Sequence, residues 1–265
     1  MSFISVPFLL FFGAVSLAYY LLPRRWQWGV LLAGSVIFYL TADLRYGIFL
    51  TVCTVSGYLA VCRMDDRLRK LDAYLREKPL TREEKKAARG SVKGKNRLTL
   101  AVCLVLNFAM LFVCKALLLP AVRTAAEGTV LSFLSLGLPL GISFYLFQTM
   151  GYCIDVYRGK AKAQRNFLKF ALFTTYFPYL IQGPISAYGK LEGQLYASHD
   201  FDGKQWSFGV QRMLWGYFKK LVIADRIAPL IASLRAPELG GMGFFLLTLS
   251  YAVQIYGDFT GGIDM

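Results

Sequence analysis

Two polar side chains with the spacing of a helical face lie inside the last apolar stretch of the sequence, 244–265. Gln254 and Asp258 are four residues apart, so one face of a helix would present both of them. A carboxylate inside a membrane segment is costly, and such groups usually serve a substrate site, an ion path or a proton path. Gly257 and Gly261 would let a second backbone approach this face closely. We therefore predict that Gln254 and Asp258 line a tunnel or support the core around it.

A second stretch, 177–190, combines an amide with residues that break helices. Pro178 lies near its start, and Gln182 is followed directly by Gly183 and Pro184. Proline removes a backbone donor and glycine loosens a helix, so a spanning helix should fail here. At bilayer depth, broken backbone is tolerated only where protein or a water-filled cavity surrounds it. We predict that these residues lie at a tunnel or a re-entrant segment; the alternative is a helix that leaves the membrane at this point.

Charged residues interrupt a third apolar stretch, 206–234, with Lys219 and Lys220 near its centre. Charges are expensive at bilayer depth, so these side chains should face protein, water or lipid headgroups. An oblique or interfacial helix fits this pattern better than a simple span. Two interpretations of Lys219 and Lys220 stay open, namely anchoring to headgroups and a position at the cytoplasmic mouth of a cavity.

The elements that would position these residues are transmembrane helices. The chain has 265 residues, of which 56% are hydrophobic and 17% charged, and its mean hydropathy is +0.45. A soluble domain of this length usually carries more charge, and several apolar runs approach the roughly 20 residues that cross a bilayer. We predict an all-α, polytopic membrane protein that forms a single membrane domain over residues 1–265.

The formal net charge of +14 is distributed as in membrane proteins. Much of it lies in the segment 63–97, and most of the remainder lies near the ends of apolar runs, which is the positive-inside pattern. The sequence contains no nucleic-acid-binding motif. The predicted partners are therefore membrane lipids, with attraction to anionic headgroups, and not nucleic acid.

The basic segment 63–97 is predicted to be a cytoplasmic helical hairpin within the membrane domain. Its first half mixes acidic and basic residues at helical spacing. Thr81 and Glu84 then fit a capping box, in which a threonine and a glutamate three residues later satisfy each other's backbone donors at a helix start.

Basic residues alternate along the first five apolar stretches in a way that agrees with one orientation. Arg24 and the basic segment 63–97 would lie inside, and the N-terminus outside. Asp155, Tyr157 and Arg158 end the fifth stretch, and we predict that they fix this helix end at the cytoplasmic face.

The histidine and cysteine content argues against a metal site. The chain has five cysteines, all within or at the edges of apolar runs, and one histidine, His199, in a polar loop. No CxxC pair occurs, so we interpret the cysteines as small buried side chains. A single loop histidine is typical of a solvated side chain rather than a catalytic one.

Four blocks in order give the sequence a family resemblance. They are 138–159 (LPLGISFYLFQTMGYCIDVYRG), 177–190 (FPYLIQGPISAYGK), 209–228 (GVQRMLWGYFKKLVIADRIA) and 254–265 (QIYGDFTGGIDM). Together they resemble the membrane-bound O-acyltransferase family, in particular its bacterial branch of alginate O-acetyltransferases and teichoic-acid D-alanyl transferases. The N-terminal stretches and the basic segment also fit that branch.

The resemblance implies a ring of transmembrane helices, some of them broken or re-entrant, around a tunnel in the bacterial inner membrane. It implies transfer of an acetyl-type or D-alanyl-type acyl group to a hydroxyl of an envelope polymer or a relay protein outside. The donor would be a cytoplasmic thioester, either CoA or the phosphopantetheine of an acyl carrier protein. That donor is a substrate, and no bound cofactor is expected.

The family's general base is a histidine in a tryptophan- and arginine-rich block that follows the motif matched by 254–265. The sequence stops at Met265, so we expect an N-terminal portion of such an enzyme, incomplete at its C-terminus and with no catalytic residue of its own. Two alternatives to an acyltransferase stay open. One is a transporter with a broken-helix cavity, although the inverted repeat usual in transporters is not found here. The other is a non-catalytic membrane scaffold subunit.

Overall fold

Helices make up the regular structure of the described part of the chain, so the all-α prediction is confirmed. The structure is a computed structural model that describes residues 4–41, 47–77, 81–119, 124, 139–183, 186–234 and 240–265. Its helices are α1 (Val6–Leu21), α2 (Gln27–Leu40), α3 (Gly47–Glu77), α4 (Arg82–Ala116), α5 (Ile142–Tyr157), α6 (Phe167–Thr175), α7 (Phe177–Gln182), α8 (Tyr188–Leu195), α9 (Gly203–Phe218), α10 (Asp225–Ser233) and α11 (Gly241–Asp264). A 3-10 turn, Arg24–Trp26, precedes α2, and a π-helical segment, Lys219–Ala224, joins α9 to α10.

The chain forms two compact units. Unit 1 comprises Met1–Arg24, Gln182–Pro184 and His199–Met265, and unit 2 comprises Arg25–Ile181 and Ile185–Ser198. Unit 1 therefore contains α1 and α9 to α11, whereas unit 2 contains α2 to α6 and α8. The single membrane domain stays a prediction.

Several helices begin where the sequence supplies a side-chain cap. The Ser5 hydroxyl accepts a hydrogen bond from the Phe8 N–H at the start of α1. Asn166 accepts from two backbone N–H groups at the start of α6, and Asp202 from one at the start of α9. These oxygens satisfy donors that the first helical turn leaves without a partner, which stabilises each start by about 1 kcal/mol.

Among the described helices, α3 and α4 are long and apolar enough to cross a membrane, and α1 is a shorter apolar helix. The chain is thus an all-α membrane protein, as predicted. Both α3 and α4 continue from their apolar parts into the segment 63–97, so its described residues are helical as predicted, and its cytoplasmic position stays a prediction. The capping box is also confirmed: the Thr81 N–H donates to Glu84 Oε2 at 2.8 Å and the Glu84 N–H donates to Thr81 Oγ1 at 3.4 Å.

The core of unit 2 lies where α3, α5 and α6 meet. Phe170, Phe173 and Tyr152 are buried there, and Tyr152 packs against Tyr188 of α8 with ring centroids 4.1 Å apart. Gly57 lets α5 approach α3, because a Cβ at this position would lie 2.6 Å from Thr149 Cγ2. This packing holds Tyr188, a residue of the 177–190 block, in the core of unit 2.

The apolar stretch 167–182 ends with α7 at Gln182, directly before the predicted Gly183–Pro184 break, and it contains a further break at Tyr176. Helix α6 ends at Thr175, Tyr176 has φ −54° and ψ 108°, and α7 starts at Phe177. Pro178 thus lies in the first turn of α7, where a missing N–H costs no intrahelical hydrogen bond. On the facing segment Gly141 has φ +68°, and a Cβ there would lie 2.0 Å from the Leu180 carbonyl oxygen, so only glycine fits.

Candidate functional site

In unit 1 the segment formed by α9, the π-helical turn and α10 packs against α11 through glycines. A Cβ at Gly216 would lie 2.8 Å from the Gly261 carbonyl oxygen, and one at Gly257 would lie 3.2 Å from the Lys219 carbonyl oxygen. Gly257 and Gly261 form a GxxxG pattern, in which small residues allow two helix backbones to touch. This close approach brings the block 209–228 against the block 254–265.

The first charge cluster at this crossing is formed by Lys219, Asp264 and Arg212. Lys219 is 8% exposed, and its Nζ forms an ion pair with one carboxylate oxygen of Asp264. The other carboxylate oxygen accepts a hydrogen bond from Arg212 Nε at 2.9 Å. The Lys219 Nζ also lies 3.4 Å from the Thr260 carbonyl oxygen. A buried ammonium with this many acceptors is well neutralised.

The second cluster is centred on Lys220. Its Nζ lies 2.5 Å from a carboxylate oxygen of Asp258 and 3.1 Å from one of Asp225. Asp258 belongs to α11 and Asp225 begins α10, so this lysine connects two elements. The structure therefore brings Lys220, for which headgroup anchoring and a cavity mouth were both open, together with Asp258, which was predicted to line a tunnel or support its core.

The π-helical geometry lets consecutive lysines reach the same neighbouring helix. The Asp225 N–H donates to the Lys220 carbonyl oxygen, a bond that spans five residues instead of the four of an α-helix. Lys219 contacts α11 at Thr260 and Asp264, and Lys220 contacts it at Asp258. Such π segments are frequent at functional sites, which makes the Lys219–Ala224 crossing our candidate site.

The structure describes the other predicted tunnel residues only in part. Gln254 lies in α11 one turn before Asp258 and is half-buried. Gln182 ends α7, but its side chain lies outside the described residues, as does all of Pro184. Gly183 is buried. Their roles in lining a tunnel stay predictions.

The residues predicted for the cytoplasmic face end α5 in unit 2. Arg158 is exposed and caps the helix by donating its N–H to the Ile154 carbonyl oxygen. Asp155 and Tyr157 are half-buried, and the Asp155 carbonyl oxygen accepts a hydrogen bond from the Lys160 N–H at 2.8 Å. These contacts are those of a helix end, and the side of the membrane on which it lies stays a prediction.

His199 lies exposed in the segment between α8 and α9, as expected of a solvated side chain, and it also forms a contact within unit 1. Its Nδ1 lies 2.8 Å from the Tyr19 hydroxyl, and the neighbouring Asp200 pairs with Arg24 at 2.5 Å. Both residues of that ion pair are more than half exposed. The histidine is thus part of the junction between α1 and the segment before α9.

Sequence reasoning left Arg212, Asp225 and Asp264 out of the predicted site. They lie in the same two blocks as the predicted residues, and opposite charges in two neighbouring apolar segments were the signal that could have identified them. The sequence did not show which of these charged residues pair with each other, because partners such as Lys219 and Asp264 are 45 residues apart.

The chemistry open to this crossing is electrostatic. Each of its carboxylates, Asp225, Asp258 and Asp264, forms an ion pair with at least one lysine or arginine. The cations can also attract anionic groups at the edge of the cluster. In the part of the chain that the structure describes, no group of three or more His, Cys, Asp or Glu side chains could hold a metal ion.

Three proteins with named activities are similar to part of this chain. A probable alginate O-acetylase from Azotobacter vinelandii is 41% identical over 132 residues, which are 48% of this chain and 26% of that protein. A protein of the same description from Pseudomonas aeruginosa is 40% identical over 132 residues, which are 48% of this chain and 25% of that protein. A peptidoglycan O-acetyltransferase from Helicobacter pylori is 30% identical over 160 residues, which are 50% of this chain and 30% of that protein.

The matched segment thus spans between a quarter and a third of the length of these relatives. No family model matches the chain, and no solved structure matches it. The predicted resemblance to bacterial O-acyltransferases is confirmed over about half of the chain.

Proposed function

We propose that this chain forms part of a bacterial O-acyltransferase that esterifies hydroxyl groups of a cell-envelope polymer. The observation that carries the proposal is the 41% identity over 132 residues with a probable alginate O-acetylase. The relative from Helicobacter pylori is named for a different envelope polymer, peptidoglycan. An envelope acceptor is common to both names, so the proposed acceptor is an envelope polymer or a relay protein that serves it.

The proposed reaction moves an acyl group from a cytoplasmic thioester to an alcohol. The acyl carbon–sulfur bond breaks, an acyl carbon–oxygen bond forms with the acceptor hydroxyl, and the hydroxyl proton passes through a general base to the leaving thiolate. No residue of the described chain is assigned as that base. The proposed contribution of this chain is the wall of the passage and the binding of the donor.

The proposed donor site uses the cationic edge of the crossing in unit 1. Arg212 is more than half exposed while paired with Asp264, so one side of its guanidinium faces outward. CoA and phosphopantetheine both carry phosphates, and arginine binds phosphate through paired hydrogen bonds. In this proposal the crossing lies toward the cytoplasm of the inner membrane, and the N-terminus lies outside.

One observation favours a non-catalytic scaffold as the second candidate function. The carboxylates of the described crossing are all paired with lysine or arginine, which is the arrangement of a structural element rather than of an acid–base site. A scaffold of this kind would bind the donor or a partner subunit without catalysing transfer by itself.

Radiolabelled acetyl-CoA tests the proposal. Membranes from cells that express the chain in its natural context are incubated with acetyl-CoA labelled in the acetyl group, and polymer-bound label released by mild base is counted. Label above that of membranes lacking the protein is expected. Donor binding without ester formation would establish the scaffold, and neither binding nor ester formation would overturn the proposal.

Two matched variants, compared for donor binding in the same experiment, test whether Arg212 belongs to the donor site. Arg212→Gln should weaken donor binding on the order of tenfold, as expected for losing a charge-assisted hydrogen bond. Lys204→Gln, on an exposed lysine at the start of the same helix, removes the same charge and should leave donor binding unchanged.

A further inference from the structure

A groove of about 400 Å³ runs between α3 and α4 of unit 2, the two described helices that are long and apolar enough to cross a membrane. Its walls are apolar, with Leu59 from α3 and Leu98, Val102 and Leu106 from α4. These four side chains are all exposed in the structure, with Leu98 at 66% and Val102 at 58%. On a membrane-spanning hairpin, such a surface faces lipid acyl chains.

One end of the groove carries two guanidinium groups, those of Arg63 and Arg67. Arg67 donates from Nη1 to the Lys95 carbonyl oxygen at 2.9 Å and to Thr99 Oγ1 at 2.6 Å, which fixes it against α4. Its hydrogen bonds to the described residues all use Nη1, so its Nε and Nη2 donors remain for a ligand. Arg63 is exposed and forms no ion pair with the described residues.

The nearby carboxylates are engaged by other arginines. Asp65 accepts from Arg69 at 2.9 Å and from Arg165 at 2.6 Å, and Asp66 also pairs with Arg165. Neither Arg63 nor Arg67 therefore has a carboxylate to neutralise it within the described chain. Two unneutralised guanidiniums next to apolar walls form a complementary site for an anion that carries a hydrocarbon chain.

The groove is long enough for a phosphate and the first part of one acyl chain. Its lining runs along α3 from Ser56 to Arg67, which at the rise of an α-helix is about 16 Å. The arginines lie at the end nearer the turn of the hairpin, where headgroups would be if the apolar parts of α3 and α4 cross the membrane.

We propose that this groove is a specific binding site for one anionic phospholipid. The phosphate lies between Arg63 and Arg67, and one acyl chain lies along the apolar walls of α3 and α4. The site would couple the hairpin to the anionic lipid of the membrane, separately from the crossing in unit 1.

Native mass spectrometry of the purified full chain tests this site. The protein is delipidated in detergent and then offered equal amounts of palmitoyl-oleoyl phosphatidylglycerol and the corresponding phosphatidylcholine. We expect one phosphatidylglycerol per chain to be retained in preference to phosphatidylcholine. Equal retention of the two lipids would overturn the proposal.

Two pairs of variants test the two halves of the site. Arg63→Gln should weaken phosphatidylglycerol retention on the order of tenfold, whereas Lys70→Gln, an exposed charge on the same helix outside the groove, should not. Val102→Trp should fill the groove and block retention, whereas Val105→Trp, at a position 69% exposed that does not line it, should not. Retention that survives Arg63→Gln or Val102→Trp would contradict the site.

Two further measurements distinguish a phospholipid from other occupants of the groove. Inorganic phosphate at millimolar concentration should not displace the lipid, because the acyl chain contributes to binding; displacement would replace the lipid site by a simple phosphate site. A dimer without bound lipid, abolished by Val102→Trp, would show that a second copy of the chain occupies the groove and would also overturn the proposal.

Discussion

A methyl group at Gly216 would collide with the backbone of α11. The Cβ of an alanine there would lie 2.8 Å from the Gly261 carbonyl oxygen and 2.9 Å from the Met265 nitrogen. Both are backbone atoms, so no side-chain rotation can relieve the clash. We expect Gly216→Ala to lower the free energy of unfolding of the chain by about 1 to 3 kcal/mol. The thermal unfolding midpoint in detergent, followed by circular dichroism, measures this effect.

Gly209→Ala is the matched control on the same helix. An added Cβ at Gly209 meets no atom within 4 Å, so the gain in helix propensity should leave stability equal or higher, by about 0.5 to 1 kcal/mol. If Gly216→Ala were as stable as Gly209→Ala, the close crossing of α9 and α11 would be wrong.

Loss of the Asp264 charge should leave a buried lysine without its main counterion. Lys219 is 8% exposed, and Asp264 is its ion-pair partner. We expect Asp264→Asn to cost about 3 kcal/mol, since breaking one side of a buried ion pair leaves an uncompensated charge. Chemical denaturation in mixed micelles measures the loss.

The exposed pair Arg24–Asp200 supplies the comparison. Its side chains are 66% and 73% exposed, so Asp200→Asn should cost less than about 1 kcal/mol. The double variant Lys219→Met with Asp264→Asn should recover part of the loss, because no buried charge then lacks a partner. Equal costs for Asp264→Asn and Asp200→Asn would show that the cluster at the crossing is solvated.

At the scale of elements, the start of α4 should respond to acid. Hydrogen bonds from the backbone N–H and the hydroxyl of Thr81 lower the pKa of Glu84 below its ordinary value of 4.5. A lowered pKa in the folded state means that the stabilisation is present above about pH 4.5 and is lost as the pH falls through the folded value. Hydrogen exchange of residues 81–90, corrected for intrinsic rates, should show this loss of protection between pH 6 and 3.

Glu84→Gln separates the capping carboxylate from other acid effects. Glutamine keeps an oxygen that can accept from the Thr81 N–H but does not titrate, so protection of the first turn should lose its pH dependence. Glu83→Gln, in the same turn and outside the capping box, should keep the wild-type profile. A wild-type profile in Glu84→Gln would contradict the assignment.

At the scale of the whole molecule, the predicted tunnel is tested by water access in a bilayer. In a variant whose five cysteines, Cys53, Cys62, Cys103, Cys114 and Cys153, are replaced, a new cysteine at Ser186 should react with a water-soluble maleimide. Ser186 follows the Gly183–Pro184 pair, where broken backbone requires a surrounding of protein or water.

Phe112 provides the lipid-facing control for that labelling. It lies on α4, one of the two described helices that could span a membrane, and is 74% exposed. A cysteine there should react with a membrane-permeant reagent and resist the water-soluble one. If Ser186→Cys behaved like Phe112→Cys, the segment 177–190 would face acyl chains and the tunnel would be disproved.

Sequence patterns predicted well the features that depend on neighbouring residues. The all-α membrane class follows from apolar runs of spanning length, and the Thr81–Glu84 capping box depends on two residues three positions apart. The sequence placed the break at Gly183–Pro184, directly after α7 ends at Gln182, but it did not predict the turn at Tyr176. Pro178 does not mark that turn, because a proline in the first turn of a helix does not interrupt the helix.

By itself, the sequence determined that the chain is helical, apolar and similar to envelope O-acetyltransferases over about half of its length, since composition and local spacing carry that information. Only the tertiary structure decided which cation meets which carboxylate. Lys219 reaches Asp264 and Lys220 reaches Asp258 because a π-helical turn and the glycines of α9 and α11 bring two distant backbones together. Such pairings depend on the direction and closeness of packed helices, which no local pattern specifies.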